Sequence, residues 1–285
     1  MILIEVLPSV VFGIAVLAVP ESPRYLVQAG RDADALTVLR RVEGGPAEGH
    51  LSEIQSTLKA DRPPRFSDLR DSSGRIKNVV WIGVGLAVLQ QLVGINSIFY
   101  YGAALWNSVG FTPAHSLEIN VVTGIVNIGS TLVAIALVDR IGRRLLLLVG
   151  SAAMAVALGA LVWALLTGGV TGQGATALSP RAAEVALVAA NLFVFAFGAS
   201  WGPCVWILLG EMFPNRIRGA AMAVAVFGQW IANWLVTMTF PPLVESFGPA
   251  IAYALYFVAA VFSFIFVWRG VRETCGLRLE EMDKT

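Results

Sequence analysis

Residues 79–106 read VVWIGVGLAVLQQLVGINSIFYYGAALW and contain no Asp, Glu, Lys, Arg or His. A run of about 20 mostly apolar residues is what an α-helix needs to cross the hydrocarbon core of a bilayer. Working outward from this stretch, apolar runs of similar length recur along the chain. The seven predicted spans are 2–20, 79–106, 119–138, 145–166, 185–209, 220–244 and 249–268.

The composition is typical of a membrane protein. Hydrophobic residues make up 56% of the chain and charged residues 14%, and the mean hydropathy is +0.73, whereas soluble domains carry about 25% charged residues. Inside a bilayer every backbone N–H and C=O group must be paired within the protein, and a helix satisfies this within one segment. We therefore expect an all-α, polytopic membrane protein.

The basic residues indicate the orientation in the membrane. Of the 20 Lys and Arg residues, 19 lie in connections on one side of the predicted spans, whereas Arg181 lies on the other side. Cytoplasmic loops are enriched in Lys and Arg, so the basic side is assigned to the cytoplasm. The C-terminal tail is then cytoplasmic and Met1 external, in a multi-pass protein of the cell membrane. A chain that begins outside without a targeting sequence predicts further sequence upstream of Met1.

One long polar connection, residues 21–78, separates the first two spans. It contains two patterns of apolar residues spaced by three or four, and each pattern predicts an amphipathic helix. The patterns consist of Leu36, Leu39 and Val42 and of Leu51, Ile54 and Leu58. The predicted domains are a transmembrane helix (1–20), a cytoplasmic helical domain (21–78), a six-helix membrane domain (79–270) and a cytoplasmic tail (271–285).

Signatures of enzymes and cofactor sites are nearly absent from the sequence. The two histidines, His50 and His115, lie in different compartments on the predicted topology, so they offer no metal cluster and no His-based triad. The phosphate-binding pattern GxxxxGK[ST] does not occur. We expect a protein that is not an enzyme, that holds no metal or cofactor and that has no nucleic-acid partner.

The polar side chains within the spans are carboxamides rather than charges: Gln90, Gln91, Asn96, Asn127, Gln229 and Asn233. A carboxamide offers both hydrogen-bond donors and acceptors, which suits a neutral ligand covered in hydroxyl groups. A charged substrate would call for an opposite charge nearby. The alternative for each of them is an interhelical hydrogen bond, worth about 1 kcal/mol in membrane bundles. Asn233 is expected to make no ligand contact.

Two spans carry signs of a break. Gln90 and Asn96 are six residues apart and can face one cavity only if the helix is irregular, which Gly94 between them allows. Gly202 and Pro203 predict a kink just before Trp206, whose indole could then face the bundle axis and cover the apolar face of a sugar ring. The alternative for Trp206 is packing in the core or against lipid.

Four stretches resemble the sugar porter family of the major facilitator superfamily. They are PESPRYL at 20–26, QQLVGINSIFYYG at 90–102, DRIGRR at 139–144 and GPCVWILLGEMFPNRIRG at 202–219. In that family the corresponding motifs follow helix six, form helix seven, join helices eight and nine, and form helix ten with the loop after it. The stretches occur in the family's order and cover nearly the whole chain.

The resemblance implies a fold and a set of functional residues. The chain would hold helix six, a cytoplasmic helical bundle and the C-terminal six-helix half of a transporter that works by alternating access on a pentose or hexose within membrane lipid. By position, the implied sugar site comprises Gln90, Gln91, Asn96, Tyr100, Asn127, Trp206 and Gln229. The implied charge network, which holds one gating state, comprises Glu21, Arg24, Asp139, Arg140, Arg143, Glu211 and Arg218.

Several alternatives stay open at this point. The N-terminal half of such a transporter, with the helix-one carboxylate linked to proton coupling, is expected to be missing, so proton symport and facilitated diffusion are not separated. The chain is expected to be inactive without that half. The tail reads RETCG at 272–276 where the family usually has PETKG, so its cytoplasmic contacts are expected to differ. A membrane sugar sensor and a purely structural membrane subunit are the rival functions.

Overall fold

The structure is a computed structural model that describes residues 2–43, 47–60, 66–71, 73–108, 110–167, 169–170 and 176–273. The described chain is helical except for short connections and one two-residue ribbon, in which β1 (Gly169–Val170) pairs antiparallel with β2 (Thr176–Ala177). It divides into two compact units, Met1–Pro63 and Pro64–Thr285. The all-α fold class is confirmed.

The described residues of the first unit form four helices: α1 (Ile2–Ala18), α2 (Pro23–Gln28), α3 (Asp32–Glu43) and α4 (Ala47–Ala60). The two amphipathic patterns fall on α3 and α4. The buried face of α3 is centred on Ala35 and Leu39, four residues apart, whereas Val42 is 71% exposed. The predicted stripe on α3 was therefore wrong at Val42. A hydrogen bond of 2.8 Å from Gln55 Nε2 to Asp32 Oδ2 joins α4 to α3.

The second unit begins with a 3₁₀ turn and holds the membrane helices. The turn is Phe66–Leu69, and the helices are α5 (Asn78–Leu92), α6 (Ile95–Ser108), α7 (Pro113–Ile141), α8 (Arg143–Leu166), α9 (Pro180–Gly198), α10 (Trp201–Met212), α11 (Asn215–Phe247) and α12 (Pro249–Gly270). The residues after Pro64 that the sequence assigned to the cytoplasmic domain lie in this unit, where the 3₁₀ turn packs against α11.

Six helical segments of the described chain are long and apolar enough to cross a membrane: Asn78–Asn107, Pro113–Ile141, Arg143–Leu166, Pro180–Met212, Arg216–Phe247 and Pro249–Gly270. They match the last six predicted spans. The first predicted span corresponds to α1, whose 17 residues lie at the lower end of the length range for a spanning helix, about 17–25 residues.

The first break interrupts the span that opened the sequence analysis. Helix α5 ends at Leu92, α6 begins at Ile95, and Gly94 between them has φ +81°. A side chain at this position would be strained in the left-handed region, and its Cβ would also collide with the ring of Tyr256. The predicted break at Gly94 is thus present in the fold.

The second break separates α9 from α10, and it lies earlier than expected. Helix α9 is capped by Ala199, and Ser200 has φ −137° and ψ −83°. Pro203 sits inside the first turn of α10, where a missing backbone N–H costs little. Because Pro203 cannot donate to the carbonyl of Ala199, the helix yields in the turn before the proline rather than at Gly202.

The core of the second unit lies between tightly paired helices. Helix α8 packs along both α9 and α12, and α5 packs along α11. Trp201 follows the second break and is fully buried, and its Nε1 donates to Ser151 Oγ at 2.9 Å and to the carbonyl of Leu147 at 3.2 Å. These bonds anchor the start of α10 on α8, so the residues after the break have a fixed direction.

Candidate functional site

Both helix breaks open onto one cavity of about 410 Å³. All seven residues of the predicted sugar site line it, and they come from five helices. The lining consists of Gln90, Gln91, Ile95, Asn96, Phe99, Tyr100, Asn127, Phe197, Gly202, Trp206 and Gln229. This described lining contains no Asp, Glu, Lys or Arg, so it can bind a polar ligand without imposing a charge.

The first break explains how carboxamides six residues apart reach the same space. Gln90 and Gln91 lie in the last turn of α5, whereas Asn96 is the second residue of α6. A continuous helix would turn Asn96 through about 600° relative to Gln90, which places the two on different faces. The turn at Gly94 removes that constraint.

Gln90 is held by the second break. It is 2% exposed, and its Nε2 donates to the carbonyls of Trp201 at 2.9 Å and Gly202 at 3.2 Å. Carbonyl oxygens accept and never donate, so these contacts fix which end of the carboxamide is the NH₂ group. Gln90 therefore connects the end of α5 to the start of α10.

The orientation of Gln90 determines that of Gln229. The Oε1 of Gln90 needs a donor, and Gln229 Nε2 on α11 donates to it at 2.8 Å. The Oε1 of Gln229 then points elsewhere, and it is buried without a hydrogen-bond partner among the described residues. A buried carbonyl oxygen is strongly favoured to accept a hydrogen bond, so this atom is an unsatisfied acceptor on a residue of the cavity wall.

A second group of carboxamides links three helices. Asn96 Nδ2 donates to Gln91 Oε1 at 2.8 Å and to Asn233 Oδ1 on α11 at 2.6 Å. Both hydrogens of the Asn96 amide are thereby used. The Nε2 group of Gln91 and the Oδ1 atom of Asn96 take no part in these two bonds, and both residues line the cavity.

The remaining predicted residues complete the wall. Asn127 lies half-buried in the middle of α7, where its backbone carbonyl accepts from the hydroxyls of Ser130 and Thr131. Tyr100 is 60% exposed and Trp206 is 42% exposed. Both rings are thus accessible at the open side of the cavity.

Some lining residues were missed from the sequence. Phe99 is one turn beyond Asn96 on α6, and the helical spacing could have identified it once the break was placed. Phe197 lies in the last turn of α9, and a lone Phe in an apolar span carries no such signal. Asn233 was expected to make no ligand contact, and it is not among the residues that line the cavity, but it bonds directly to Asn96, which does line it.

The predicted charge network is partly assembled at the start of α8. The side chain of Arg143 is 11% exposed, and its Nη2 contacts Asp139 Oδ1 and Glu211 Oε1, each at 2.9 Å. Asp139 lies in the last turn of α7 and Glu211 in the last turn of α10, so the guanidinium of Arg143 joins these two helices to α8. Arg143, Asp139 and Glu211 all belong to the charge network that the family resemblance implied.

The tail supplies an acidic residue that the sequence analysis did not assign to this network. Glu273 accepts from the backbone N–H groups of Arg143 at 3.0 Å and Arg144 at 3.1 Å. These N–H groups belong to the first turn of α8 and have no acceptor within the helix. A carboxylate there accepts from them and interacts favourably with the positive end of the helix dipole. Glu273 lies in the RETCG stretch at 272–276, where the family usually has PETKG. Glu273 makes its contact with α8 even though residues next to it differ from that motif.

The other predicted network members are Arg218, Arg140, Glu21 and Arg24. Arg218 Nε donates to the carbonyl of Phe213 at 3.2 Å and so braces the turn between α10 and α11. Arg140 is exposed beside Asp139. Glu21 and Arg24 are exposed and belong to the first unit.

Comparison with known proteins gives a family match over the whole chain. The family described as "Sugar (and other) transporter" matches residues 1–285. The chain is 51% identical to the glucose transport protein of Synechocystis over 98% of its length and 59% of that protein. It is 35% identical to the D-xylose-proton symporter of Escherichia coli K12, over 98% of its length and 55% of the symporter.

Solved structures agree with this match. The proton:xylose symporter XylE bound to 6-bromo-6-deoxy-D-glucose superposes with a TM-score of 0.78 at 35% identity, over 98% of this chain and 57% of that one. The inward-open conformation of XylE from E. coli gives a TM-score of 0.70 at 33% identity, over 98% and 54%. The chain thus spans somewhat more than half the length of the relatives it matches.

Proposed function

The chain belongs to the sugar transporter family, and from that premise we propose that it supplies one wall of the sugar cavity in a monosaccharide transporter. The observation that carries the proposal is the cavity lining, where five carboxamides and four aromatic rings face one space. Its volume of about 410 Å³ lies within the range of small-molecule sites, about 300–1,000 Å³.

The chemistry of the lining fits a pentose or hexose. Gln91 Nε2 offers donors and Asn96 Oδ1 offers an acceptor, so neighbouring hydroxyls can donate and accept in turn. Trp206 presents an accessible ring, which can pack against the apolar C–H face of a sugar. A charged substrate would lack a counter-charge in the described lining.

Transport by alternating access needs segments that can reorient around the site. Helices α6 and α10 both begin at a break in the cavity wall, and α10 ends beside Arg143. We infer that the pair of Arg143 with Glu211 holds one conformer and that its release accompanies opening. The remaining wall of the cavity would come from the part of such transporters that this chain does not match.

The mode of coupling is not determined by the family, because relatives include both a D-xylose-proton symporter and a glucose facilitated diffusion protein. The described cavity lining offers no carboxylate to carry a proton. In either mode, the distribution of Lys and Arg supports a cytoplasmic C-terminal tail.

A hybrid transporter tests the proposal. In it, this chain replaces the matching segment of the Synechocystis glucose transport protein, so that the relative supplies the second wall. We expect liposomes containing the hybrid to accumulate D-glucose or D-xylose in a saturable way. A folded hybrid that binds neither sugar would contradict the proposal. Saturable binding without uptake would instead favour the sensor alternative.

A further inference from the structure

We propose that Asn233 is a positioning residue that orients the Asn96 carboxamide and, through it, the start of α6. The part of this proposal that concerns sugar affinity rests on the proposed function. Asn233 lies on α11 and is not among the residues that line the cavity. Asn233 would therefore act through its hydrogen bond to Asn96 rather than by contacting a ligand.

The hydrogen bonds define what Asn233 does. Its Oδ1 accepts from Asn96 Nδ2 at 2.6 Å, while Gln91 Oε1 accepts from the same nitrogen at 2.8 Å. These two oxygens occupy both hydrogens of the Asn96 amide, so that Oδ1 is the atom of this carboxamide that is left to accept. Without Asn233, one amide hydrogen of Asn96 would lack an acceptor. The carboxamide could then rotate and present a donor, rather than an acceptor, to the cavity.

Asn96 has a special need for such support. It follows the break at Gly94, where the helical hydrogen-bond ladder between α5 and α6 is interrupted. The direction of α6 must then come from side chains on neighbouring helices. One turn further along both helices, the Tyr101 hydroxyl donates to the carbonyl of Thr237 on α11 at 3.1 Å.

Asn233 and Thr237 are four residues apart and so lie on one face of α11. The bonds from Asn96 and Tyr101 therefore attach α6 to that face at two successive turns. Ser97 adds a bond to the Tyr256 hydroxyl on α12 at 2.8 Å. Of these contacts, the bond to Asn233 is the one that reaches a cavity-lining side chain. The geometry couples the orientation of α6 to the presentation of an acceptor in the cavity.

The first measurement needs no sugar. Hydrogen exchange of the full chain in detergent is compared for the parent, Asn233→Leu, which keeps the size but removes the acceptor, and Asn233→Asp, which keeps an acceptor oxygen. We expect exchange in residues 95–101 to rise at least threefold in Asn233→Leu and to return toward the parent in Asn233→Asp. Thr239→Val is the matched control, because Thr239 donates within α11 to Leu235. Unchanged exchange at α6 in Asn233→Leu would overturn the proposal.

The second measurement is a double-mutant cycle on sugar affinity in the hybrid. Asn233→Leu should weaken binding by about tenfold in the parent background but by less than about twofold when Asn96 is already Ala. Asn233→Asp should recover most of the loss, and Thr239→Val should show none. Equal losses in both backgrounds would overturn the positioning role. If exchange at α6 responds as expected and the parent hybrid binds no sugar, the proposed function fails while the role of Asn233 in holding α6 stands.

Discussion

Side chains join several helices both in the cavity and at the start of α8, but the two clusters use different kinds of interaction. In the cavity, two neutral carboxamides use both hydrogens of their NH₂ groups: Gln90 donates to two carbonyls and Asn96 donates to two side-chain oxygens. At the start of α8, one guanidinium pairs through charge with two carboxylates, and a third carboxylate, that of Glu273, accepts from two backbone N–H groups.

The difference follows from the surroundings of the two clusters. A charge in the middle of the membrane is expensive, whereas a carboxamide can be buried if its partners are complete. Hydrogen bonds between carboxamides are directional, because the orientation of one amide determines that of the next. Ion pairs at the partly exposed helix end are weaker and less directional, which suits a contact that forms and breaks. Changes in the cavity should therefore alter stability and affinity, and changes at α8 should alter conformer populations.

The largest effect is expected at Gln90. Gln90→Leu leaves the carbonyls of Trp201 and Gly202 and the Nε2 of Gln229 without their partner, at about 1–3 kcal/mol for each buried group. We expect the free energy of unfolding in mixed micelles to fall by at least about 3 kcal/mol. Gln91→Leu is the matched control, with a loss near 1 kcal/mol, because Gln91 accepts a single hydrogen bond, from Asn96, and is less buried. Equal losses of stability in the two variants would contradict the distinction between Gln90, whose carboxamide is fully paired, and Gln91, whose carboxamide is assigned to the ligand.

Trp206 should change affinity rather than stability, since its ring is 42% exposed. Trp206→Ala should weaken sugar binding by the hybrid about tenfold, which is about 1.4 kcal/mol, and Trp206→Phe should lose less. Trp163→Ala serves as the control, because Trp163 is 58% exposed on α8 and does not line the cavity. A similar loss in both Ala variants would show that the ring contact is not specific.

Glu273 should contribute through the helix terminus. Glu273→Ala removes the acceptor for two N–H groups in the first turn of α8, a loss of about 1 kcal/mol for a helix cap. We expect a lower melting temperature and faster exchange of the Arg143 and Arg144 amides, with sugar affinity unchanged. Arg272→Gln, which removes the neighbouring charge, should leave those amides as they are. Protection of both amides in Glu273→Ala would refute the capping role.

The smallest effect is expected at Glu211. Exposed ion pairs are worth under about 1 kcal/mol, and Glu211 is 31% exposed, so Glu211→Gln should change the hybrid's transport rate about two- to fivefold while affinity stays within about twofold. Asp139→Asn should do less, because Asp139 is 77% exposed. If Glu211→Gln changed sugar affinity and left the transport rate unchanged, the proposed division of roles would be wrong, because the cluster at α8 would then affect binding rather than conformer populations.

The sequence predicted the membrane helices and the residues around the cavity because both depend on local signals. Long apolar runs define spans, and Gly94 between two carboxamides indicated a break. It could not predict which amide faces which, since the direction of Gln90 depends on carbonyls more than 100 residues away that become available only at the second break. The same holds for Asn233 and Glu273, whose partners lie on other helices. Pro203 indicated a break but not its position, because the strain is relieved one turn earlier.

The affinity of the hybrid for sugar, with and without the Gln91 side chain, tests the central claim most directly. Gln91→Ala removes donors that face the cavity and frees the Asn96 amide that Gln91 holds. Equilibrium binding of radiolabelled D-glucose and D-xylose should weaken by tenfold to a hundredfold, about 1–3 kcal/mol. If affinity stayed within about twofold of the parent while melting temperature and hydrogen exchange matched it, the sugar would bind elsewhere, and the carboxamide cavity would not be the site.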